Sequence, residues 1–328
     1  MFSILEKKVM QVNPNTFEDL ALEVFRFQAR ENLIFHKYLQ LLKIKVADIN
    51  TISQIPFLPV SCYKYHRITS GNWKEEITFY SSGTTGMLKS KHLVKSLAWY
   101  ENVILKDFNE AFNNASNYQF FGLLPGYVDN PNSSLICMIH LLMKKNKQND
   151  GNYFYKDDFQ KLFVDLTHAV QSQQQVILFG VSFALYDFAK QYSLNAPNLS
   201  IIETGGLKSS KRQFTKIEII ETLNKSFPSS KIYSEYGMTE MMSQAYSPNG
   251  IHYNRSTTMD VIISAPDDHK EIMNANKRGR VNIIDLGNLH TCSFLQTGDL
   301  GIKLNASQFQ ILGRLDDEEI RGCNMLLE

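Results

Sequence analysis

Between residues 118 and 237, short apolar runs alternate with longer stretches of helical periodicity, and this pattern constrains the chain more than any other. YQFFGLL at 118–124, VILFGV at 176–181, LSIIETGG at 199–206 and KIYSEYG at 231–237 are apolar on both faces, and several end in glycine. Strands of that kind belong to parallel sheets covered by helices, and the loops at their C-terminal ends face a ligand. SLAWYENVILKDFNEAF at 96–112 and SSLICMIHLLM at 133–143 read as helices, so the predicted class is α/β.

Residues 15–43 carry Asn15 with Glu18 three positions on, a helix-start pattern, and then apolar positions at helical spacing that predict one long or two short amphipathic helices. The Pro-containing connection IPFLPV leads to ITFY at 77–80, a strand before a glycine-rich turn, and MKKNKQNDGN at 143–152 reads as a solvated loop. From about residue 251 strands and turns dominate, in RVNIIDL, HTCSFLQTGD, GIKL and FQILGR. The expected division is therefore α/β lobes over 1–250 and a mainly β lobe over 251–328.

Charge excludes some partners. Lys plus Arg number 34 against 33 Asp plus Glu, so no net field draws the chain to nucleic acid or an anionic membrane, and any anion must be captured locally. The start, MFSILEKKVMQVNPN, has charges where a leader's apolar core would run, and no stretch is long enough to span a bilayer; a cytoplasmic protein is expected. Cys62, Cys137, Cys292 and Cys323 lie far apart without metal-site spacing, which predicts reduced thiols, the first three in the core.

Four stretches carry chemistry. In Tyr80-Ser81-Ser82-Gly83-Thr84-Thr85-Gly86-Met87-Leu88-Lys89, glycines let backbone N–H groups converge on an anion while hydroxyls and a lysine add donors, a composition suited to a polyphosphate. It lacks the Gly-Lys-Ser/Thr of a P-loop. In Tyr233-Ser234-Glu235-Tyr236-Gly237-Met238-Thr239-Glu240, a ring can stack on a base, a hydroxyl can reach a phosphate and a carboxylate can hold Mg²⁺. Gln296-Thr297-Gly298-Asp299-Leu300-Gly301 reads as an Asp in a tight turn between β runs, able to accept two ribose hydroxyls, and Gly313-Arg314-Leu315-Asp316-Asp317 supplies a fork-shaped donor. Alone, each has a plainer reading: a Ser/Gly turn, a core tyrosine, a turn-forming Asp, a surface ion pair.

Their order carries more. SSGTTG, YGMTE, TGD and GRLDD, in that succession over about residues 78–322, resemble the adenylate-forming superfamily of acyl-CoA synthetases, luciferases and adenylation domains. The resemblance implies the superfamily's large domain, α/β sheets flanked by helices plus a distorted β-barrel lobe, and ATP and Mg²⁺ as ligands. It implies that Ser81, Ser82, Gly83, Thr84, Thr85, Gly86 and Lys89 hold the β- and γ-phosphates and that Tyr236, with Gly237, stacks on adenine. Thr239 then contacts the α-phosphate, Glu240 binds the metal, and Asp299 and Arg314 hold the ribose. ETGGLK, with Gly205 and Gly206, resembles the glycine segment along the adenine face.

Within the superfamily the chain is most similar to the LuxE-type acyl-protein synthetases, related to phenylacetate-CoA ligases, through IPFLPVSCYKYHRI, LLPGYVDNPNSSL and its end at Glu328. Most superfamily members continue into a small mobile domain with a catalytic lysine, which this sequence is expected to lack, so that adenylation is expected to be slow unless Lys89, another lysine or a partner compensates. The LuxE resemblance implies transfer of an activated fatty acid to a cysteine near the C-terminus, which makes Cys323 in Ile320-Arg321-Gly322-Cys323-Asn324 the expected acceptor; Arg321 would lower its pKa. Thr239, Lys89 and Cys323 are the expected catalytic residues, and the expected partners are a carboxylic acid and an acyl-acceptor protein, carrier protein or reductase. Two alternatives stay open: a ligase forming acyl-CoA or acyl-carrier-protein thioesters, and a non-catalytic nucleotide- or acyl-binding subunit. His92 is available as a base, but an ionised carboxylate needs none; His140 reads as a core or groove histidine.

Overall fold

A computed structural model describes residues 2–82, 88–146, 153–205, 208–209, 212–213, 215–266, 268 and 271–315. Along the chain run α1 (Phe2–Met10), α2 (Phe17–Glu31), α3 (Leu33–Leu41), β1 (Leu58–Pro59), α4 (Cys62–Tyr65), β2 (Ile77–Tyr80), β3 (Lys91–Val94), α5 (Leu97–Phe112), β4 (Tyr118–Leu123), α6 (Ser134–Lys145) and β5 (Phe154–Tyr155). Then follow α7 (Phe159–Gln171), β6 (Gln175–Val181), α8 (Ser182–Gln191), β7 (Leu199–Thr204), β8 (Lys208–Ser209), β9 (Arg212–Gln213), α9 (Lys216–Ser226) and β10 (Lys231–Tyr236). The last strands are β11 (Ala245–Ser247), β12 (His252–Asn254), β13 (Met259–Ser264), β14 (Arg278–Asp285), β15 (Phe294–Lys303) and β16 (Gln308–Arg314). They form two compact units: Met1–Asp107, Met238–Gln244 and Asn254–Glu328 make the first, Phe108–Gly237 and Ala245–Tyr253 the second.

In the first unit, α2 buries Phe17, Leu20, Ala21, Val24, Phe25 and Gln28, one face at helical spacing. The long-or-split question is settled at Asn32, which is extended and buried. Its side chain accepts from Phe35 N at 3.0 Å, capping α3, and donates to Thr291 O at 2.8 Å, so two short helices form. The expected Asn15–Glu18 start is not used. Thr16 is the N-cap without a side-chain cap bond, and Glu18 instead accepts from Ile52 N at 3.3 Å. Phe25, Phe35 and Phe294 pack at centroid distances of 5.8–6.0 Å; burying each ring is worth about 1.5–3 kcal/mol.

The same unit holds the antiparallel run β13–β14–β15–β16, with β1 parallel to β15 through Leu58↔Leu295. β2 and β3 pair separately as a hairpin, Ile77↔Val94 to Tyr80↔Lys91.

The second unit confirms the apolar runs as strands. β5, β4, β6, β7 and β10 are parallel neighbours in that order, and β11 adds antiparallel to β10. Their burial is nearly continuous, as for a sheet covered on both faces. Three of its helices, α6, α7 and α9, begin on side-chain caps: Ser133 accepts from Ile136 N, Asp158 from Lys161 N, and Thr215 and Glu218 form a reciprocal box on α9, each worth about 1 kcal/mol. No helix among the described residues is long and apolar enough to cross a membrane.

Candidate active site

The segment 238–244, which follows β10 in sequence, belongs to the first unit and is held there by four side chains. His92 Nδ1 donates to Thr239 O at 2.7 Å, since a carbonyl can only accept, and Nε2 lies 3.3 Å from Thr291 Oγ1. Burial pushes the His92 pKa down to about 4, so the ring is neutral at physiological pH. Asn288 donates to Glu240 O at 2.7 Å. The buried Asp285 carboxylate accepts from Met242 N at 2.8 Å, Ser243 N at 3.2 Å and Ser243 Oγ at 2.6 Å, and Asp107 accepts from Gln244 N at 2.9 Å. A turn without regular secondary structure is thereby fixed residue by residue, its backbone N–H groups satisfied by carboxylates.

Glu240 is buried, and burial raises its pKa, offset by a hydrogen bond from the Ser90 side chain and by the charges of Arg314 and Lys64. Ser90 N donates to Ser81 Oγ at 3.0 Å and Ser81 N to Ser90 O at 3.2 Å, which pinches the two ends of the glycine- and hydroxyl-rich stretch together. Ser81 is half-buried, Ser82 and Lys89 are exposed, and Gly83, Thr84, Thr85 and Gly86 lie outside the described residues.

Asp299 departs from the expected tight turn, since it lies inside the continuous strand β15. The local sequence has turn character because the ladder is irregular there. Between Arg280↔Leu300 and Asn282↔Gln296, Thr297, Gly298 and Asp299 have no partner in β14. Thr297 Oγ1 anchors the bulge by donating to Val281 O at 2.7 Å and accepting from Asp299 N at 3.0 Å. On the other side Asp299 pairs with Arg314 of β16, and Arg314 Nε reaches Asp299 Oδ1 at 3.2 Å. The Asp side chain is 11% exposed and the Arg side chain 63%.

In the second unit, Gly205 follows β7 at φ +87°, a left-handed conformation that favours glycine. Tyr236 ends β10, buried edge-on against Tyr253 at 5.8 Å. At the same strand ends lies a polar cluster that sequence reading did not pick out. Glu203 accepts from Ser182, from Ser234 at 2.9 Å and from Lys216, and Glu235 accepts from Thr204. Lys216 also reaches Tyr253 Oη at 3.3 Å. Burial, reinforced by the Glu203 charge, raises the Glu235 pKa to about 7. Burial lowers that of Lys216, but Glu203 outweighs it and the net shift is upward.

Thus Thr239, Glu240, Asp299 and Arg314 share the first unit with Ser81, Ser82 and Lys89, whereas Gly205, Tyr236 and Gly237 belong to the second. Gly206 and Cys323 lie outside the described residues. Of the other cysteines, Cys62 and Cys292 are buried and Cys137 is half-buried; His140 is half-buried, with its pKa lowered by desolvation.

The family model described as acyl-protein synthetase, LuxE, matches residues 146–328 of the 328, more than half of the chain. The chain belongs to the LuxE acyl-protein synthetase family. The LuxE match takes in the clamped 238–244 segment, the β15–β16 pair and the Glu203 cluster alike. No curated protein matches the chain in sequence. Among solved structures, a 2-hydroxyisobutyryl-CoA ligase in a postadenylation state is similar at a TM-score of 0.67 and 11% identity, over 96% of this chain and 72% of that one. An O-succinylbenzoate coenzyme A synthetase from Bacillus subtilis in complex with AMP gives 0.50 at 15% identity, over 73% and 49%. An ATP-bound RpMatB-BxBclM chimera gives 0.55 at 14%, over 74% and 49%, so this LuxE-family chain spans about half the length of the latter two. At such identities the likeness is one of fold, the mixed α/β architecture of adenylate-forming ligases.

The residues that sequence reading missed, Ser90, Asp107, Asp285 and Asn288, touch the site through the backbone or through Glu240. Their one signal is polarity inside apolar runs, as in VNIIDLGNL, where an Asp and two Asn sit among residues that must be buried.

Proposed function

We propose that the chain activates a carboxylic acid, of the fatty class, with ATP and passes the acyl group to a thiol. The acid's carboxylate oxygen attacks the α-phosphorus of ATP, the bond to the bridging oxygen breaks, and pyrophosphate leaves with the electron pair. A thiolate then attacks the acyl carbonyl and AMP departs. The observation that best supports this reading is the convergence, inside a LuxE-family chain, of Glu240, Ser90 and the Asp299–Arg314 pair in one unit.

The donor set suits magnesium. Mg²⁺ commonly takes one or two carboxylates plus substrate phosphates rather than an all-protein cage. Glu240 supplies one such carboxylate, and no group of three or more His, Cys, Asp and Glu able to hold a metal occurs among the described residues. When bound, the ion supplies neutralising charge to the leaving pyrophosphate. The chain's own residues do the rest. Asn288 and His92 fix the backbone of Glu240 and Thr239, so that the carboxylate and the hydroxyl, assigned to the α-phosphate, are presented without reorganisation. Asp299, ion-paired to Arg314 at 3.2 Å, accepts the ribose hydroxyls, with Arg314 alongside. Ser81, Ser82, Gly83, Thr84, Thr85, Gly86 and Lys89 hold the β- and γ-phosphates; Gly205, Gly206, Tyr236 and Gly237 are assigned to adenine. Cys323 is assigned as the first acyl acceptor, in a cytoplasmic enzyme that hands the group on to a protein partner.

The test is ATP–pyrophosphate exchange over a panel of fatty, aromatic and amino acids, joined to intact-mass analysis. We expect exchange with a fatty acid and a mass increase of one fatty acid less water, absent in Cys323→Ala. No exchange with any acid would leave a binding subunit; exchange with thioester formed only on added CoA, unchanged in Cys323→Ala, would make the chain an acyl-CoA ligase.

A further inference from the structure

The hairpin β2–β3 forms one side of a cleft of about 310 Å³ in the first unit, lined among others by Lys64, His66, Arg67, Tyr80 and Lys91. Its charge is unbalanced. Glu75 holds Arg67 through two contacts, 2.7 Å and 3.2 Å, and the guanidinium draws the half-buried Glu75 carboxyl down to about 2. Among the described residues Lys64 and Lys91 have no ion-pair partner, which leaves an excess of two positive charges in the cleft. The Thr78 hydroxyl and the phenols of Tyr65 and Tyr80 line the same space and offer further hydrogen bonds.

His66 adds an unmet demand. Its Nε2 is buried with no hydrogen-bond partner, and burial together with the nearby Lys37 charge favours the neutral ring. A buried polar atom left without a partner is costly, and an oxygen-rich ligand entering the cleft would relieve it.

Position selects the ligand. Tyr80 and Lys91 are cross-strand partners, the last residue of β2 and the first of β3, and the glycine- and hydroxyl-rich stretch joins them in sequence. Ser81 and Ser90, the next residues along, hydrogen-bond each other at 3.0 and 3.2 Å, so both ends of that stretch stay beside the cleft. Lysines act as point charges toward phosphate, and two converging on one cleft favour a compact polyanion over a single carboxylate.

We propose that this cleft, through Lys64, His66 and Lys91, binds inorganic pyrophosphate, as the seat of the leaving group on its way out of the site. This rests on the adenylation reading for its source of pyrophosphate, but not for the binding itself. Lys64 and Lys91 anchor the anion and His66 contributes its unpartnered nitrogen. Arg67 stays with Glu75.

The experiment is calorimetric titration of the full chain with magnesium pyrophosphate, for the wild type, Lys64→Ala, Lys91→Ala and the double variant, with circular dichroism to show that each remains folded. Each single change is expected to raise Kd about tenfold, the loss of one charge-assisted contact, and Lys64→Arg to retain most of the affinity. Exposed Lys74→Ala, outside the cleft, should bind as the wild type does. Wild-type affinity in the folded double variant, no binding by the wild type, or binding of adenosine 3′,5′-bisphosphate in place of pyrophosphate would each overturn the proposal. Exchange kinetics separate the two readings. If the double variant loses pyrophosphate binding while the wild type exchanges with no acid, the cleft stands and adenylation falls. If exchange proceeds with an unchanged KM for pyrophosphate in the double variant, adenylation stands and the cleft falls.

Discussion

Glu203 in the second unit and Glu240 in the first are both buried carboxylates, yet their surroundings differ in kind. Glu203 accepts from Ser182, Ser234 and Lys216, three donors from three separate elements. Glu240 accepts from the Ser90 hydroxyl and from its own backbone N–H, and it feels the charges of Arg314 and Lys64 without an ion pair to either among the described residues. A carboxylate whose oxygens are fully engaged ties strand ends together; one left under-coordinated at a site edge retains capacity for a cation. The contrast teaches that burial alone does not distinguish a tying carboxylate from one with room for a cation, whereas the number of its partners does.

The strongest way to break that contrast is Lys216→Met. If the Glu203 cluster is structural, this change strands a buried charge and should cost about 3–5 kcal/mol of stability, read by urea unfolding. A loss under about 1 kcal/mol would show that Glu203 is not fixed by its lysine. Glu240→Gln is the counterpart. It should leave the urea midpoint unchanged or raised, because a desolvated acid becomes a neutral amide, while magnesium-dependent exchange falls about a hundredfold or more. An unchanged exchange rate would remove Glu240 from the metal's shell.

A smaller effect sharpens the comparison through pH. Glu235 has a folded pKa of about 7 against an ordinary value of 4.5, so the fold binds its proton more tightly than the unfolded chain does. The stability this gives is fully present below about pH 4.5 and is lost as pH rises through about 7. Glu235→Gln should abolish that decline and stabilise the protein at pH 8 by on the order of 2 kcal/mol relative to wild type. Thermal melts of both proteins from pH 5 to 8 check it, and parallel curves would contradict it.

Much of this was legible beforehand. The strands at 118–124, 176–181, 199–206 and 231–237 announce themselves because burial on both faces demands continuous apolar side chains, a local property of composition. Asp299 was found as a residue but misread as a turn, because a bulge and a turn share the same Thr-Gly-Asp vocabulary. The Asn15–Glu18 pattern failed for a related reason: Ile52 N, distant in sequence, took the Glu18 oxygen that a local cap would have used.

The sequence by itself determined the layered α/β class and the order of the four glycine- and polar-rich stretches, since hydrophobic periodicity and glycine-hydroxyl chemistry act over a few residues. Only the tertiary structure decided which polar residues hold those stretches. Asn288 meets Glu240, His92 meets Thr239, and Lys216 meets Glu203 across gaps of 48, 147 and 13 residues. The physical reason is that a buried polar group must find its partner in space, and the sequence records the need for a partner without recording which residue the fold will bring.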